Sequence, residues 1–156
     1  MSGKLSADIK QSKPFPLLEE EAFLNLLRTT DALRRAHAAI LDSRQLSDAQ
    51  YNVLRILRGA GSDGLPCGEI GGRMITRDPD ITRLLDRLES RGLTQRSRDS
   101  KDRRVVTARI TLAGLELLAA LDAPILETSK RMLGHLGARD LKVLIDLLER
   151  ARERAV

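Results

Sequence analysis

The 156-residue sequence has few of the residues that metal centres, disulfide frameworks and base-stacking surfaces require. It contains one cysteine and two histidines, which excludes a disulfide framework and leaves too few ligands for a structural zinc site. Aromatic residues make up 2% of the chain and tryptophan is absent, so the stacking platforms of single-stranded nucleic acid binders are missing. We therefore expect neither a metal nor a cofactor.

Long hydrophobic runs are absent too. The N-terminal segment MSGKLSADIKQSKPFP has no apolar core of a signal peptide, and no run approaches the length of a membrane span. The chain is therefore expected to be cytoplasmic, with no membrane partner. Its apolar content of 42% is enough for a folded core of about one domain.

Positive charge is concentrated in one part of the chain. The net charge is +5, and residues 73–104 hold ten basic but only six acidic residues. Net charge alone fits an acidic membrane as well as a nucleic acid, but a basic cluster of this kind is typical of a nucleic-acid-binding face. Because aromatic residues are scarce, double-stranded DNA is the favoured partner.

The first half of the chain predicts a long helix followed by a shorter one. Apolar residues recur at helical spacing over 17–43, which is longer than a small core needs, so part of this helix is expected to pack on another subunit. Ser47 and Gln50 form a capping-box pattern that begins a second helix, and Gly59 and Gly61 should end it.

Two further helices are predicted before residue 92. Pro66 suits the first turn of a short third helix that carries Ile70 and Met74. Asp78 as N-cap and Pro79 at the first helical position predict the start of a fourth helix, and Arg91-Gly92 predicts its end. Its apolar face consists of Ile81, Leu84, Leu85 and Leu88. Its polar face consists of Thr82, Arg83, Asp86 and Arg87.

After Gly92 the period changes from helical to alternating. This predicts strands over 93–98 and 103–110, joined by the polar turn 99–102. Thr111 is expected to cap another helix, which Pro124 should kink or divide. The last helix follows Gly137, and its apolar stripe consists of Leu141, Leu144, Ile145 and Leu148.

This order of elements is that of a winged helix-turn-helix, a mainly α fold of about six helices and a two-stranded β-hairpin wing. A helix about 10–12 Å across fits the major groove of B-DNA, so the polar face of the fourth helix could read base edges. The basic wing tip could follow the phosphate backbone or enter the minor groove. Its basic residues are Arg98, Lys101, Arg103 and Arg104.

Two segments, DPDITRLLDRLESRGLTQR and DSKDRRVVTARITLAG, resemble the MarR family of bacterial transcriptional regulators. The wing signature of that family is matched by Asp102, Arg104, Ile110 and Thr111. The resemblance implies a homodimer on a palindromic operator. It divides the chain after residue 16 into a dimerisation helix (17–46), the winged helix-turn-helix (47–110) and C-terminal dimerisation helices (111–156). Residues 1–16 are polar and end in Pro14 and Pro16, so they are expected to form a flexible arm.

The resemblance also assigns candidate site residues by position. Those matching the DNA-reading helix and the segment before it are Thr76, Arg77, Asp80, Thr82, Arg83 and Arg87. The wing adds the four basic tip residues, and Asp102 is expected to shape the wing by pairing with a neighbouring arginine. Gly71-Gly72 and Ile75 depart from the family's pattern, which puts the geometry of the turn in question.

The resemblance implies a small aromatic or lipophilic effector. His37 and Tyr51 are weak candidates for its pocket, against interface or core packing. Cys67 is expected to be a small buried residue rather than a redox switch.

The sequence therefore predicts a sequence-specific regulator of transcription, a repressor relieved by an effector. The alternative is a sequence-independent architectural DNA-binding protein. An enzyme is not expected, because common catalytic motifs are missing and two histidines offer little general-base capacity.

Overall fold

The computed structural model describes residues 4–77, 80–100 and 102–154. The chain forms two compact units, residues 1–37 and 38–156. The described α-helices are α1 (Lys4–Asp8), α2 (Leu18–Asp42), α3 (Asp48–Ala60), α4 (Cys67–Arg73), α5 (Ile81–Ser90), α6 (Leu112–Leu133) and α7 (Gly137–Arg152). The strands are β1 (Leu65–Pro66), β2 (Thr94–Arg98) and β3 (Val106–Ile110). The expected mainly α fold with a winged helix-turn-helix is confirmed.

The first unit contains a helix that the sequence analysis did not predict. We expected a flexible arm over residues 1–16, but Lys4–Asp8 are helical and Leu5 is buried. Asp8 also lies 3.9 Å from the Nε of Arg28, on α2. In contrast, most apolar side chains of α2 in this unit are exposed, including Phe23 and Leu27.

The core of the second unit lies among α3, α5, α6 and β3. The capping box at Ser47 is present in full, because the Ser47 side chain accepts from the Gln50 amide and the Gln50 side chain accepts from the Ser47 amide. α3 ends at Ala60 with Gly61 as its C-cap, in agreement with the prediction. The largest fully buried side chains are mostly aliphatic residues: Leu41, Leu54, Leu57, Ile70, Leu85, Leu88, Leu118 and Leu121.

The wing has a third strand in addition to the predicted hairpin. β3 is central, with β2 and β1 antiparallel on either side, and Leu65 pairs with Ala108. Pro66 was expected in the first turn of a helix, but it is part of β1 and has the extended angles φ −53° and ψ 132°. Gly64 makes this pairing possible, since a Cβ there would lie 2.5 Å from the Ala108 carbonyl oxygen.

α6 begins as predicted, whereas α7 begins at Gly137 itself rather than after it. Thr111 caps α6 by accepting from the Gly114 amide, and α6 continues through Pro124 to Leu133, so the proline does not divide it. A 3₁₀ turn, Gly134–Leu136, leads into α7. None of the described residues of α7 is buried, although Leu141, Leu144 and Leu148 are half-buried. No described helix is both long and apolar enough to cross a membrane.

Candidate nucleic-acid interface

The turn before α5 is held by a side chain from α3. The Asn52 side-chain oxygen accepts from the Ile75 amide at 2.7 Å, directly after α4 ends. Thr76 and Arg77, both predicted site residues, are exposed in this segment. The glycines of α4 are not required by close packing, because a Cβ at Gly72 would meet open space and one at Gly71 only an ordinary contact.

The N-terminus of α5 differs from the prediction. Asp78 and Pro79 lie outside the described residues, and the N-cap of α5 is Asp80. The Oδ1 of Asp80 accepts from the Arg83 amide at 2.9 Å, so this carboxylate satisfies one of the free amides of the first turn. The predicted N-cap is therefore wrong by two residues. The error arose because Asp78 and Asp80 are both of a residue type that caps helices.

The two faces of α5 are those the sequence predicted. Leu84, Leu85 and Leu88 are buried, and Ile81 packs against the same core. The opposite face, with Thr82, Arg83, Asp86 and Arg87, is exposed. A shallow depression on this surface is lined by Asp80, Arg83, Leu84 and Arg87. Guanidinium groups presented in this way can donate paired hydrogen bonds to guanine edges or to phosphates.

The C-terminus of α5 ends at the predicted glycine. Gly92 has φ +69°, its amide donates to the Glu89 carbonyl, and the Leu93 amide donates to the Leu88 carbonyl, which together form a Schellman motif. The Arg91 guanidinium donates to the carbonyls of Arg44 and Gln45 at 2.9 and 2.7 Å. These bonds connect the end of α5 to the turn that follows α2. Sequence reasoning did not predict them.

Arg96 on β2 is tied to two carboxylates of α5. Its Nη2 atom lies 2.6 Å from an oxygen of Asp86 and 2.6 Å from one of Glu89, and its Nε and amide donate to Glu89 as well. The hydrogen bonds from Arg96 hold the pKa of Glu89 below its usual range. In the sequence Arg96 was only one of ten basic residues, and nothing local distinguished it.

The described wing tip is organised by aspartates. The Asp99 amide donates to the Val105 carbonyl at 2.9 Å, and the Asp102 amide donates to the Asp99 side chain. Asp102 accepts from the amide, Nε and Nη2 of Arg104, and these bonds lower the pKa of its carboxyl group. The predicted pairing of Asp102 with a neighbouring arginine is thus confirmed, although Arg104 keeps 91% of its side chain exposed.

The other basic residues of the tip differ in their surroundings. Arg103 is exposed, and its carbonyl lies 3.5 Å from the Nη1 of Arg98, which is itself exposed. The predicted site residue Lys101 lies outside the described residues. The exposed arginines give the tip the charge that phosphate contacts require.

The candidate effector residues fall in different units. His37 belongs to residues 1–37 and is half-buried there. Tyr51 is part of the core of the second unit, where burial raises its pKa and the guanidinium carbon of Arg55 lies 5.9 Å from its ring centroid. Core packing therefore accounts for Tyr51 in this structure, and the role of His37 stays a prediction.

Cys67 is half-buried at the start of α4 and packs against the core. Burial raises the pKa of its thiol, which favours the neutral form over the nucleophilic thiolate. Within the ranges that the structure describes, no cluster of histidine, cysteine and carboxylate residues is arranged to hold a metal ion.

Together, α3, α4, the turn, α5 and the β2–β3 hairpin define a winged helix-turn-helix protein. The model of the MarR family matches residues 46–106. The crystal structure of a MarR transcription factor from Planctomyces limnophilus is 44% identical, with a TM-score of 0.68 over 86% of this chain and 98% of that one. The chain therefore belongs to the MarR family of helix-turn-helix transcriptional regulators.

Two further relatives carry more specific descriptions. The HTH-type transcriptional regulator FarR from Neisseria gonorrhoeae is 27% identical over 135 residues, which is 85% of this chain and 91% of FarR. The structure of the transcriptional regulator PcaV from Streptomyces coelicolor, in complex with its natural ligand, is 28% identical. It has a TM-score of 0.69 and the match covers 81% of this chain and 91% of PcaV.

Proposed function

We propose that this regulator binds a palindromic operator in double-stranded DNA with sequence specificity, by placing α5 in the major groove and the wing beside it. The observation that carries the proposal is the division of α5 into two faces. Its leucines are buried in the core while Arg83 and Arg87 are presented to solvent beside a shallow depression. A cluster of basic residues that was not held on a helix anchored in the core would favour the architectural alternative.

The site residues divide by the part of the duplex they would meet. Side chains on α5 and in the segment before it are proposed to read bases. These are Thr76, Arg77, Asp80, Thr82, Arg83 and Arg87. The wing residues Arg98, Lys101, Arg103 and Arg104 are proposed to contact phosphates, and Asp102 acts through the shape of the wing. Asp80 also caps α5 through its Oδ1 atom.

A second copy of the chain is proposed to complete the operator-binding unit. In the first unit α2 exposes Phe23 and Leu27, and in the second unit α7 exposes Val143, Ile145 and Leu147. Exposed apolar side chains that are grouped on a helix favour association, and we propose that a second copy of the chain covers them in a homodimer. Two-fold symmetry of the dimer would then match the symmetry of a palindromic site.

We further propose that the protein acts in the cytoplasm as a repressor that a small aromatic or lipophilic effector releases from DNA. The complex of PcaV with its natural ligand supports this proposal by analogy. An effector can lower operator affinity only if it binds the dimer states with different affinities. Its most economical action is to change the spacing of the two recognition helices.

The proposal is tested by selecting bound duplexes from a random pool and mapping protection on the selected site. A short two-fold protected site supports the regulator, and protection without sequence preference supports the architectural alternative. Binding should weaken steeply as salt is raised, because phosphate contacts release counterions.

Two substitutions separate the proposed roles. Arg83→Ala should reduce operator affinity by about tenfold or more and relax base preference, while Arg103→Ala should weaken binding to operator and unrelated DNA by similar factors. Arg55→Ala removes the same charge from an exposed position on α3, outside the proposed DNA contacts and dimer helices, and is the matched control. If Arg83→Ala leaves both affinity and base preference at the control's values, the assignment of α5 as the reading helix is wrong.

A further inference from the structure

One arginine of β2 and two carboxylates of α5 are hydrogen-bonded to one another, and we call them the helix–wing clamp: Arg96, Glu89 and Asp86. The Nε and Nη2 of Arg96 both donate to one oxygen of Glu89, at 3.0 and 2.6 Å, and its amide donates to the other at 2.8 Å. The same Nη2 reaches Asp86 at 2.6 Å. Backbone and side chain of one wing residue are thus fixed to one helix.

The arginine of the clamp is better shielded than the arginine of the wing-tip pair. The Arg96 side chain is 24% exposed, compared with 91% for Arg104 in the wing-tip pair. A planar guanidinium offers several donors in a fixed geometry, and it loses little freedom for each hydrogen bond that it forms. An ammonium group is a point charge and cannot reproduce this arrangement at two carboxylates.

The clamp also neutralises negative charge on the helix that would enter the groove. Asp86 lies on the exposed face of α5, next in sequence to Arg87. Without Arg96, two carboxylates of α5 would be uncompensated near the phosphates that flank the groove. They would repel DNA of any sequence, whereas a loss of alignment between α5 and wing would harm only the binding of the correct site.

We propose that Arg96 is a positioning residue that holds α5 and the wing in one fixed relative orientation, and that this orientation determines the discrimination between the operator and other DNA. The inference rests on the proposed DNA-binding function. α5 and the wing meet different parts of the duplex, so bases can be read only if both fit at once. Because a hydrogen bond to a base tolerates little misplacement, a loosened clamp loses specific contacts before it loses phosphate contacts.

The test compares Arg96→Met with Arg96→Lys and with a matched control, Arg58→Met. Arg58 donates two hydrogen bonds to Asp122 between α3 and α6, at 2.8 and 3.1 Å, and its side chain is 34% exposed. The control therefore removes a similar ion pair from the same unit without touching α5 or the wing. Affinities for the selected operator and for unrelated DNA are measured at a temperature where circular dichroism shows every variant to be folded.

Arg96→Met is expected to reduce the ratio of operator to unrelated affinity by about tenfold or more, the value of roughly one paired base contact. Arg58→Met should leave the ratio within about twofold of the unsubstituted protein. Arg96→Lys retains the charge but should recover less than half of the lost ratio on a logarithmic scale. Full recovery by lysine, an unchanged ratio in Arg96→Met, or an equal loss in the control overturns the proposal.

Hydrogen exchange separates failure of this inference from failure of the proposed function. The amide of residue 96 and the amides over 84–88 should exchange faster in Arg96→Met than in the unsubstituted protein or in the control. If exchange is unchanged, the clamp does not hold the two elements and the inference fails. If the unsubstituted protein selects no duplex site, the proposed function fails, and discrimination by the clamp fails with it even where the exchange rates differ.

Discussion

Replacing Gly114 by alanine should destabilise the protein, although the same change elsewhere in a helix should stabilise it. Gly114 lies in the first turn of α6, where helix propensity favours alanine by at most about 1 kcal/mol. A Cβ at this position would overlap the Leu93 carbonyl oxygen and lie 2.6 Å from the Cγ1 of Ile110. The same Leu93 carbonyl accepts from the Thr111 amide, so relief of the contact would disturb the start of α6.

The expected net effect follows from the two opposing contributions. Overpacking against fixed backbone costs about 1–3 kcal/mol, which exceeds the gain in propensity. For a chain of this size each kcal/mol corresponds to a change of about 2–4 °C in Tm. Gly114→Ala should therefore lower Tm by several degrees in calorimetry at a fixed protein concentration.

Gly59→Ala is the matched control for this prediction. Gly59 lies in α3, and nothing is within 4 Å of a Cβ built there. This variant should raise Tm by about 1–4 °C, since it gains helix propensity without a contact. The reasoning is refuted if Gly114→Ala is as stable as the unsubstituted protein, or if both variants shift Tm in the same direction.

Two further predictions concern stability. The Thr94 hydroxyl is buried and has no hydrogen-bond partner in the described part of the chain. Thr94→Val should therefore raise the free energy of unfolding, measured with urea, by about 1 kcal/mol. A clear decrease would show that the hydroxyl has a partner. Hydrogen bonds from Arg96 and Arg58 lower the folded-state pKa values of Glu89 and Asp122, respectively. The two carboxylates therefore stabilise the fold above their unfolded-state pKa values, and this stabilisation is lost as pH falls through their folded-state pKa values. Tm should therefore decrease as pH is lowered below about 5, and less steeply in Arg58→Met; equal slopes would contradict the assignment of Asp122.

Local signals in the sequence predicted the parts of the fold that depend on near neighbours. The capping box at Ser47, the two faces of α5 and the glycine stop at Gly92 are each determined within a few residues. The position of the α5 cap was wrong because two aspartates of equal capping ability stand two residues apart, and the local pattern does not distinguish them.

The features that sequence reasoning missed depend on partners distant in the chain. β1 is only two residues long and includes a proline, so nothing in its own sequence indicates a strand; its pairing with β3 defines it. The hydrogen bonds from Arg91 to the turn after α2 span sequence separations of 46 and 47 residues. In the candidate site, local pattern identified which residues are exposed, but not that Arg96 is committed to Glu89 and Asp86.

The hydrogen bond from the Arg96 amide to Glu89 also affects the colloidal behaviour of the protein. β2 is one of the two outer strands of the sheet, and outer strands with free amides can recruit strands from other molecules into aggregates. In β2 the amide of Arg96, in the middle of the strand, donates a hydrogen bond to the Glu89 carboxylate. A strand added from another molecule along β2 would have to displace this hydrogen bond, which disfavours edge-to-edge pairing at this side of the sheet.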